Sequence, residues 1–274
     1  YPKEYLSGRG ITKKTTYRQD RITPLERFKS LKDYVDVLYY CVKCGQCRSV
    51  YQELGRGRVC PSGELRRFEA YYLGGKNLLL WGLMRGKIPW SERLAKILYH
   101  CTLCGNCMQQ CQICEIHYYA MDWLEAAREE AVKQGVGPMP QHERLGQHTM
   151  KEYNPYMELH KDRWNWLPFD MTKLPEKADI VYFVGCTSSY RQKNIAVATV
   201  NVFRKLGLDF TILWREGMDE WCCGSPLQRI GQRDRAMKLA EHNVEVIKKT
   251  EASAVVTSCA GCYRMIKEDY KERY

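Results

Sequence analysis

The sequence predicts a helical, cysteine-rich first half followed by an α/β second half built on a short parallel sheet. Up to about residue 135, apolar residues recur at helical spacing between two groups of cysteines. From Asp179 onward, short β-branched apolar runs alternate with helical stretches instead. Each of those runs is followed by cysteine, at Cys186, Cys222-Cys223 and Cys259.

Taken in order, residues 1–35 are basic and irregular and read as an N-terminal arm lying on the surface. Residues 36–135 read as a helical domain. A helix is expected over 64–73, started by Pro61-Ser62-Gly63. Leu94, Ile97 and Leu98 form an i, i+3, i+4 stripe that runs into Cys101. Met121, Leu124, Ala127 and Ala131 mark a helix over 119–133 that closes near Gly135. Residues 136–178, rich in Pro, His, Asn and Trp, read as a linker packed on both halves. In the last domain, 179–274, strands are expected over 180–184, 210–213 and 254–257, with helices over 195–206, 233–249 and 263–270. Strands alternating with helices imply a parallel sheet. Its carboxyl edge is where such sheets bind ligands, and five cysteines converge there.

With 274 residues and 45% hydrophobic content the chain can bury a substantial core. No apolar run approaches the roughly 20 residues that cross a bilayer. The best, 78–83, contains Trp81 and Gly82 and then meets Arg85. A soluble or peripherally attached protein without a signal peptide is expected. The chain opens on Tyr1 and stops in a helix-like KEDYKERY, so both ends are expected to continue. A net charge of +11 would suit nucleic acid, an anionic surface or an acidic partner. Bound clusters cut that figure, since a four-iron cluster on four thiolates carries roughly −2. No aromatic–basic recognition motif accompanies the charge, so nucleic acid is not expected as a partner.

The fourteen cysteines carry the chemistry. Cys41-x2-Cys44-x2-Cys47 is followed after twelve residues by Cys60-Pro61, and Cys101-x2-Cys104-x2-Cys107-x3-Cys111 repeats the triplet. Three cysteines at two-residue gaps wrap one four-iron cubane, whose fourth ligand arrives from elsewhere. In two-cluster ferredoxins it comes from the other run. The expected sets are Cys41, Cys44, Cys47 with Cys111, and Cys101, Cys104, Cys107 with Cys60. Tyr51 stands where the usual fourth cysteine would be, and Gln112 replaces the usual proline after Cys111. Zinc prefers four ligands in two pairs and would leave a thiol over in each triplet. Cys114 reads as a buried small hydrophobe. The triplets and the five later cysteines suit metal ligation in a reducing, cytoplasmic compartment rather than disulfides.

The segment from ADIVYFVGCTSSYR through EWCCGSP to VVTSCAGCYRMIKEDY resembles the cysteine-rich CCG domain of heterodisulfide reductases. With the two-cluster region before it, the chain resembles the D-subunit type, a ferredoxin-like part fused to a CCG domain. The resemblance covers about residues 36 to 274. It implies that Cys186, Cys222, Cys223, Cys259 and Cys262 are catalytic and hold a further four-iron cluster, of the noncubane kind. It also implies a complex with a flavoprotein or a membrane haem or quinone-reactive subunit, and an anionic disulfide coenzyme as substrate. Family members commonly carry two CCG motifs, and this sequence contains one.

Two functions follow as expectations. One is an electron relay through two cubanes to a CCG cluster that reduces a disulfide. The other is an electron-transfer subunit with no substrate of its own, linking a flavoprotein dehydrogenase or electron-transferring flavoprotein to a membrane quinone pool. Arg191, just after Cys186, is the leading candidate to meet an anionic coenzyme. His100, His117 and His242 read as surface or packing residues. No glycine-rich nucleotide loop is evident, so flavin or nicotinamide chemistry would belong to a partner.

Overall fold

The computed structural model describes residues 30–52, 55–111, 114–168, 170 and 173–270, so most of the expected arm lies outside the described residues. The described residues form two compact units, one up to residue 88 with 101–126, the other 89–100 with 127 onward.

In the first unit a 3-10 turn (Leu31–Tyr34) leads into α1 (Val35–Tyr39). An antiparallel hairpin, β1 (Ser49–Gln52) with β2 (Gly55–Arg58), spans much of the stretch between Cys47 and Cys60. Its strands lack the apolar alternation that would have announced it. The helix expected over 64–73 is split. α2 (Pro61–Arg66) starts with Pro61 at its first position and Cys60 as cap, and stops where Arg67 turns left-handed at φ 51°. A 3-10 turn follows at Glu69–Tyr71, and α3 (Leu73–Met84) begins directly after it. The reversal is tight: a Cβ on Gly75 would fall 1.9 Å from the Glu69 carbonyl oxygen, so only glycine fits there.

Next in the chain, α4 (Glu92–Tyr99) belongs to the second unit. Ser91 caps it by accepting the Leu94 N–H at 3.3 Å, and the predicted stripe of Leu94, Ile97 and Leu98 is buried. Burying each such side chain contributes about 1.5–3 kcal/mol. α5 (Asn106–Gln110) precedes α6 (Cys114–Lys133), which buries Trp123, Leu124, Ala127 and Ala131 and ends before Gly135 at φ 71°.

The segment read as a linker is structured and belongs to the second unit. It holds α7 (Pro140–Glu152) and a 3-10 turn (His160–Trp164). β3 (Ile180–Phe183), α8 (Lys193–Lys205), β4 (Phe210–Thr211), a small hairpin of β5 (Trp214–Arg215) and β6 (Met218–Asp219), α9 (Ser225–Arg229), α10 (Arg233–Lys249), β7 (Ala254–Thr257) and α11 (Ala260–Arg264) follow. A π-helical stretch, Met265–Tyr270, extends α11.

The fold is helical in its first part with a short three-stranded parallel sheet in the second, ordered β4-β3-β7. β3 is central, and its alternate residues feed opposite cores. Val181 and Phe183 pack with Met237, Ala240 and Val246, whereas Tyr182 and Val184 pack with Ala196, Val200 and Phe203. That explains why β3 is continuously apolar in sequence. Among the described residues no helix is long and apolar enough to cross a membrane.

Candidate iron–sulfur centres

Both triplets lie on short loops with one repeated backbone. The residue before each middle cysteine is left-handed, Lys43 at φ 57° and Leu103 at φ 53°, and so is the glycine after it, Gly45 at 83° and Gly105 at 77°. Both middle cysteines, Cys44 and Cys104, are exposed. A closely similar left-handed pair at matching positions bends each loop around its middle cysteine.

Cys41, Cys44, Cys47 and Cys111 line one cavity of about 240 Å³. The Gly74 N–H at the start of α3 donates to Cys47 Sγ at 3.4 Å. Burial pushes the Cys47 thiol up to about 11, against that bond. Cys60, the cap of α2, accepts the Gly63 N–H at 3.3 Å. Burial raises its pKa, the Gly63 bond and the nearby Lys76 oppose, and Cys101 adds to the rise. Cys107 is buried, and its thiol is raised first by burial and then by Cys101, Cys60, Cys47 and Cys104. Cys60 and the Cys101 triplet are thus near neighbours. The side chains of Cys114 and His117 lie outside the described residues.

The second unit gathers its five cysteines from three strand ends. Cys186 follows β3, Cys222-Cys223 follow the β5–β6 hairpin, and Cys259 and Cys262 follow β7. The five sulfurs are near enough to influence one another's titration, Cys222 with both Cys186 and Cys223, and Cys262 with both Cys223 and Cys259. Neighbouring sulfurs and burial raise the Cys186 and Cys262 thiols, whereas interaction with neighbouring thiols lowers Cys223 and takes Cys259 to about 5. Gly185 allows the backbone to pass close to these sulfurs. At φ 77° it is left-handed, and a Cβ there would sit 3.0 Å from Cys262 Sγ.

An ion pair with no exposed side-chain surface supports the cluster of thiols. Arg163 Nη1 donates to Glu220 Oε1 at 2.8 Å. Arg163 Nη2 donates to Tyr153 O at 2.8 Å and to Cys186 Sγ at 3.3 Å. Glu220 accepts the N–H groups of Val184 at 2.7 Å and Gly185 at 2.8 Å, fixing the turn that delivers Cys186. Burial raises the Glu220 carboxyl to about 7 although Arg163 opposes it. Asn243 on α10 secures the adjacent cysteines: its Oδ1 accepts Trp221 N–H at 3.0 Å and its Nδ2 donates to Cys222 O at 3.1 Å. Tyr270 OH donates to Cys223 O at 2.8 Å.

Two family models match the chain: a 4Fe-4S dicluster domain over residues 37–113 and a cysteine-rich domain of the CCG type over 180–267. The chain is 37% identical to the D-subunit of dihydromethanophenazine:CoB–CoM heterodisulfide reductase from Methanosarcina barkeri, over 84% of its own length and 57% of the relative's. It belongs to the CCG-domain iron–sulfur family. The B-subunit of a fumarate reductase (CoM/CoB) from Methanothermobacter marburgensis is 28% identical over 63% of the chain and 33% of that protein. An EtfAB:quinone oxidoreductase of Syntrophomonas wolfei is 25% identical over 65% of the chain and 26% of that protein. The chain spans 57% of the length of the D-subunit relatives it matches. No solved structure matches it.

The donor set fits the groups that this CCG-domain family implies. Cys41, Cys44, Cys47 and Cys111 surround a cavity, Cys60 neighbours the second triplet, and Gly185 leaves room beside Cys262 and Cys259. Among the described residues no three His, Cys, Asp or Glu side chains are arranged for a single metal ion. A four-iron cluster differs in spreading its thiolates over several irons.

Arg163 and Glu220, which contact Cys186 and the turn before it, were missed by sequence reasoning. Glu220 stands two residues before Cys222-Cys223, which is the one local hint; Arg163 sits in the supposed linker with none. Arg191 is engaged by Glu158 at 2.6 Å and by Tyr156 O at 2.9 Å. His100 approaches Lys96 O at 2.7 Å. His242 stacks on Trp221, with ring centroids 3.5 Å apart, beside Cys222.

Proposed function

We propose that this chain is the electron-transfer part of a heterodisulfide reductase-like oxidoreductase. In this reading Cys41, Cys44, Cys47 and Cys111 hold one cubane, and Cys60, Cys101, Cys104 and Cys107 hold the other. Cys186, Cys222, Cys223, Cys259 and Cys262 hold a further, noncubane four-iron cluster. The observation that carries the reading is the convergence of five cysteines from three strand ends, with Gly185 packed against Cys262 and Cys259. Clusters of this kind store single electrons, which a disulfide needs in pairs.

The residues of the chain have separable tasks. Arg163 holds Cys186 from the buried side and donates an N–H to its sulfur, which favours the thiolate. Glu220 and Asn243 lock the backbones on which Cys186, Cys222 and Cys223 ride. The substrate proposed is an anionic heterodisulfide of two thiol coenzymes. A flavoprotein or a membrane haem or quinone-reactive subunit on the cytoplasmic side would complete the complex. Likeness to a quinone oxidoreductase supports a second reading, a relay to the quinone pool with no substrate of its own.

Anaerobic purification followed by iron and sulfide analysis and EPR separates these readings. About twelve irons per chain, with an oxidised-state signal that changes on adding a thiol, is the result expected. Twelve irons with no thiol-sensitive signal would favour the pure relay. About eight irons would remove the third cluster and the disulfide chemistry with it.

A further inference from the structure

Lys76 is a buried cation beside the second set of cysteines. It lies on the first turn of α3 and is 1% exposed. Its Nζ donates to the Tyr71 carbonyl oxygen and, at 3.5 Å, to Ser62 Oγ. The same carbonyl accepts Ser62 Oγ at 3.1 Å and Cys60 Sγ at 3.8 Å. Ammonium and thiol thus converge on one oxygen. When Cys60 becomes a thiolate ligand its S–H is gone, leaving an anionic sulfur beside Lys76. Its charge already favours the Cys60 thiolate.

The two cysteine sets receive different help from this one helix turn. Gly74 offers Cys47 a neutral amide at 3.4 Å, whereas Lys76 offers Cys60 a full charge. Cys107, in the same set as Cys60, is buried, and burial disfavours adding negative charge. A buried ammonium is screened little and offsets that penalty.

We propose that Lys76 raises the reduction potential of the cluster held by Cys60, Cys101, Cys104 and Cys107, so that this cluster accepts electrons from the one held by Cys41, Cys44, Cys47 and Cys111. The proposal rests on the two-cubane reading above. In the transfer, one electron leaves the cluster of the Cys41 set and one enters that of the Cys60 set, with no proton or co-reactant required. Lys76 is a positioning residue: it acts on potential through Cys60.

The test is an EPR-monitored redox titration of the anaerobic, cluster-loaded full chain and its Lys76→Gln variant, which keeps a donor toward Tyr71 and removes the charge. Cys101→Ser identifies which reduced-state signal belongs to the second set. Lys76→Gln should lower the midpoint of that signal alone. The expected shift is about tenfold in electron partition between the two clusters, ~59 mV for one electron. Lys76→Arg should restore it. Unchanged midpoints, or equal shifts of both signals, would overturn the proposal. If Lys76→Gln loads poorly, Lys76→Met and Lys76→Arg supply the same contrast of charge absent and present. Wild-type protein with a single cubane signal would sink the two-cubane reading itself, an outcome read before any variant is made.

Discussion

The two cysteine-rich units solve one problem in opposite ways. The first holds three of the four thiols of each set on a local loop, where a left-handed pair around the middle cysteine shapes the backbone within a few residues. The second brings together Cys186, Cys222-Cys223 and Cys259 from strand ends far apart in sequence, and fixes them with the fully buried pair Arg163–Glu220. A local loop survives modest loss of packing. A convergent site depends on every element that delivers a ligand, so damage to the second unit's interior should remove its cluster first.

Arg163→Met provides the harshest trial of that contrast. It leaves Glu220 buried and uncompensated, a loss of roughly 3–5 kcal/mol. Urea unfolding should show the drop, and iron analysis should show about a third of the iron missing while cubane EPR signals persist. Loss of the cubane signals instead would mean that the two units are not independently sensitive. Gly185→Ala is milder. The left-handed backbone costs roughly 1–2 kcal/mol, and the new Cβ would press on Cys262 Sγ at 3.0 Å. Selective loss of the thiol-sensitive EPR signal is expected, with the cubane signals unchanged.

The smallest effect concerns Glu143 on α7, which accepts Arg235 Nη2 at 2.8 Å and Gln232 Nε2 at 2.7 Å from the region of α10. The Arg235 bond, chiefly, holds its carboxyl below the ordinary 4.5. A depressed acid stabilises the fold fully above its unfolded value and loses that contribution as pH falls through its folded value. Glu143→Gln should therefore lower the melting temperature slightly at pH 7, by less than about 1 kcal/mol in stability since the pair is partly exposed. The gap to wild type should narrow below about pH 4.5. A gap that stays constant down to pH 4 would show that charge plays no part.

What could be read beforehand follows the same division. The strands at 180 and 210 were visible because buried parallel strands are continuously apolar, and the partly buried one at 254 because of its adjacent Val255 and Val256. The two triplets were visible because ligand spacing is local. The hairpin β1–β2 escaped because its short strands carry no apolar period, and the helix over 64–73 was split by a left-handed Arg67 that composition does not mark. Arg163 and Glu220 escaped for a deeper reason. They meet across 57 positions of sequence, and a single long-range pair leaves no periodic trace.

The crossing of the fourth cysteines has a topological consequence. Cys111, reached only after the second triplet, lines the cavity of the first, and Cys60, placed just after the first, neighbours the second. On the proposed ligand sets each metal centre closes a loop through the other's segment, like two links of a clasp. Neither link can be fastened by its own stretch of polypeptide, so a cut between Cys60 and Cys101 followed by separation of the pieces would unfasten both.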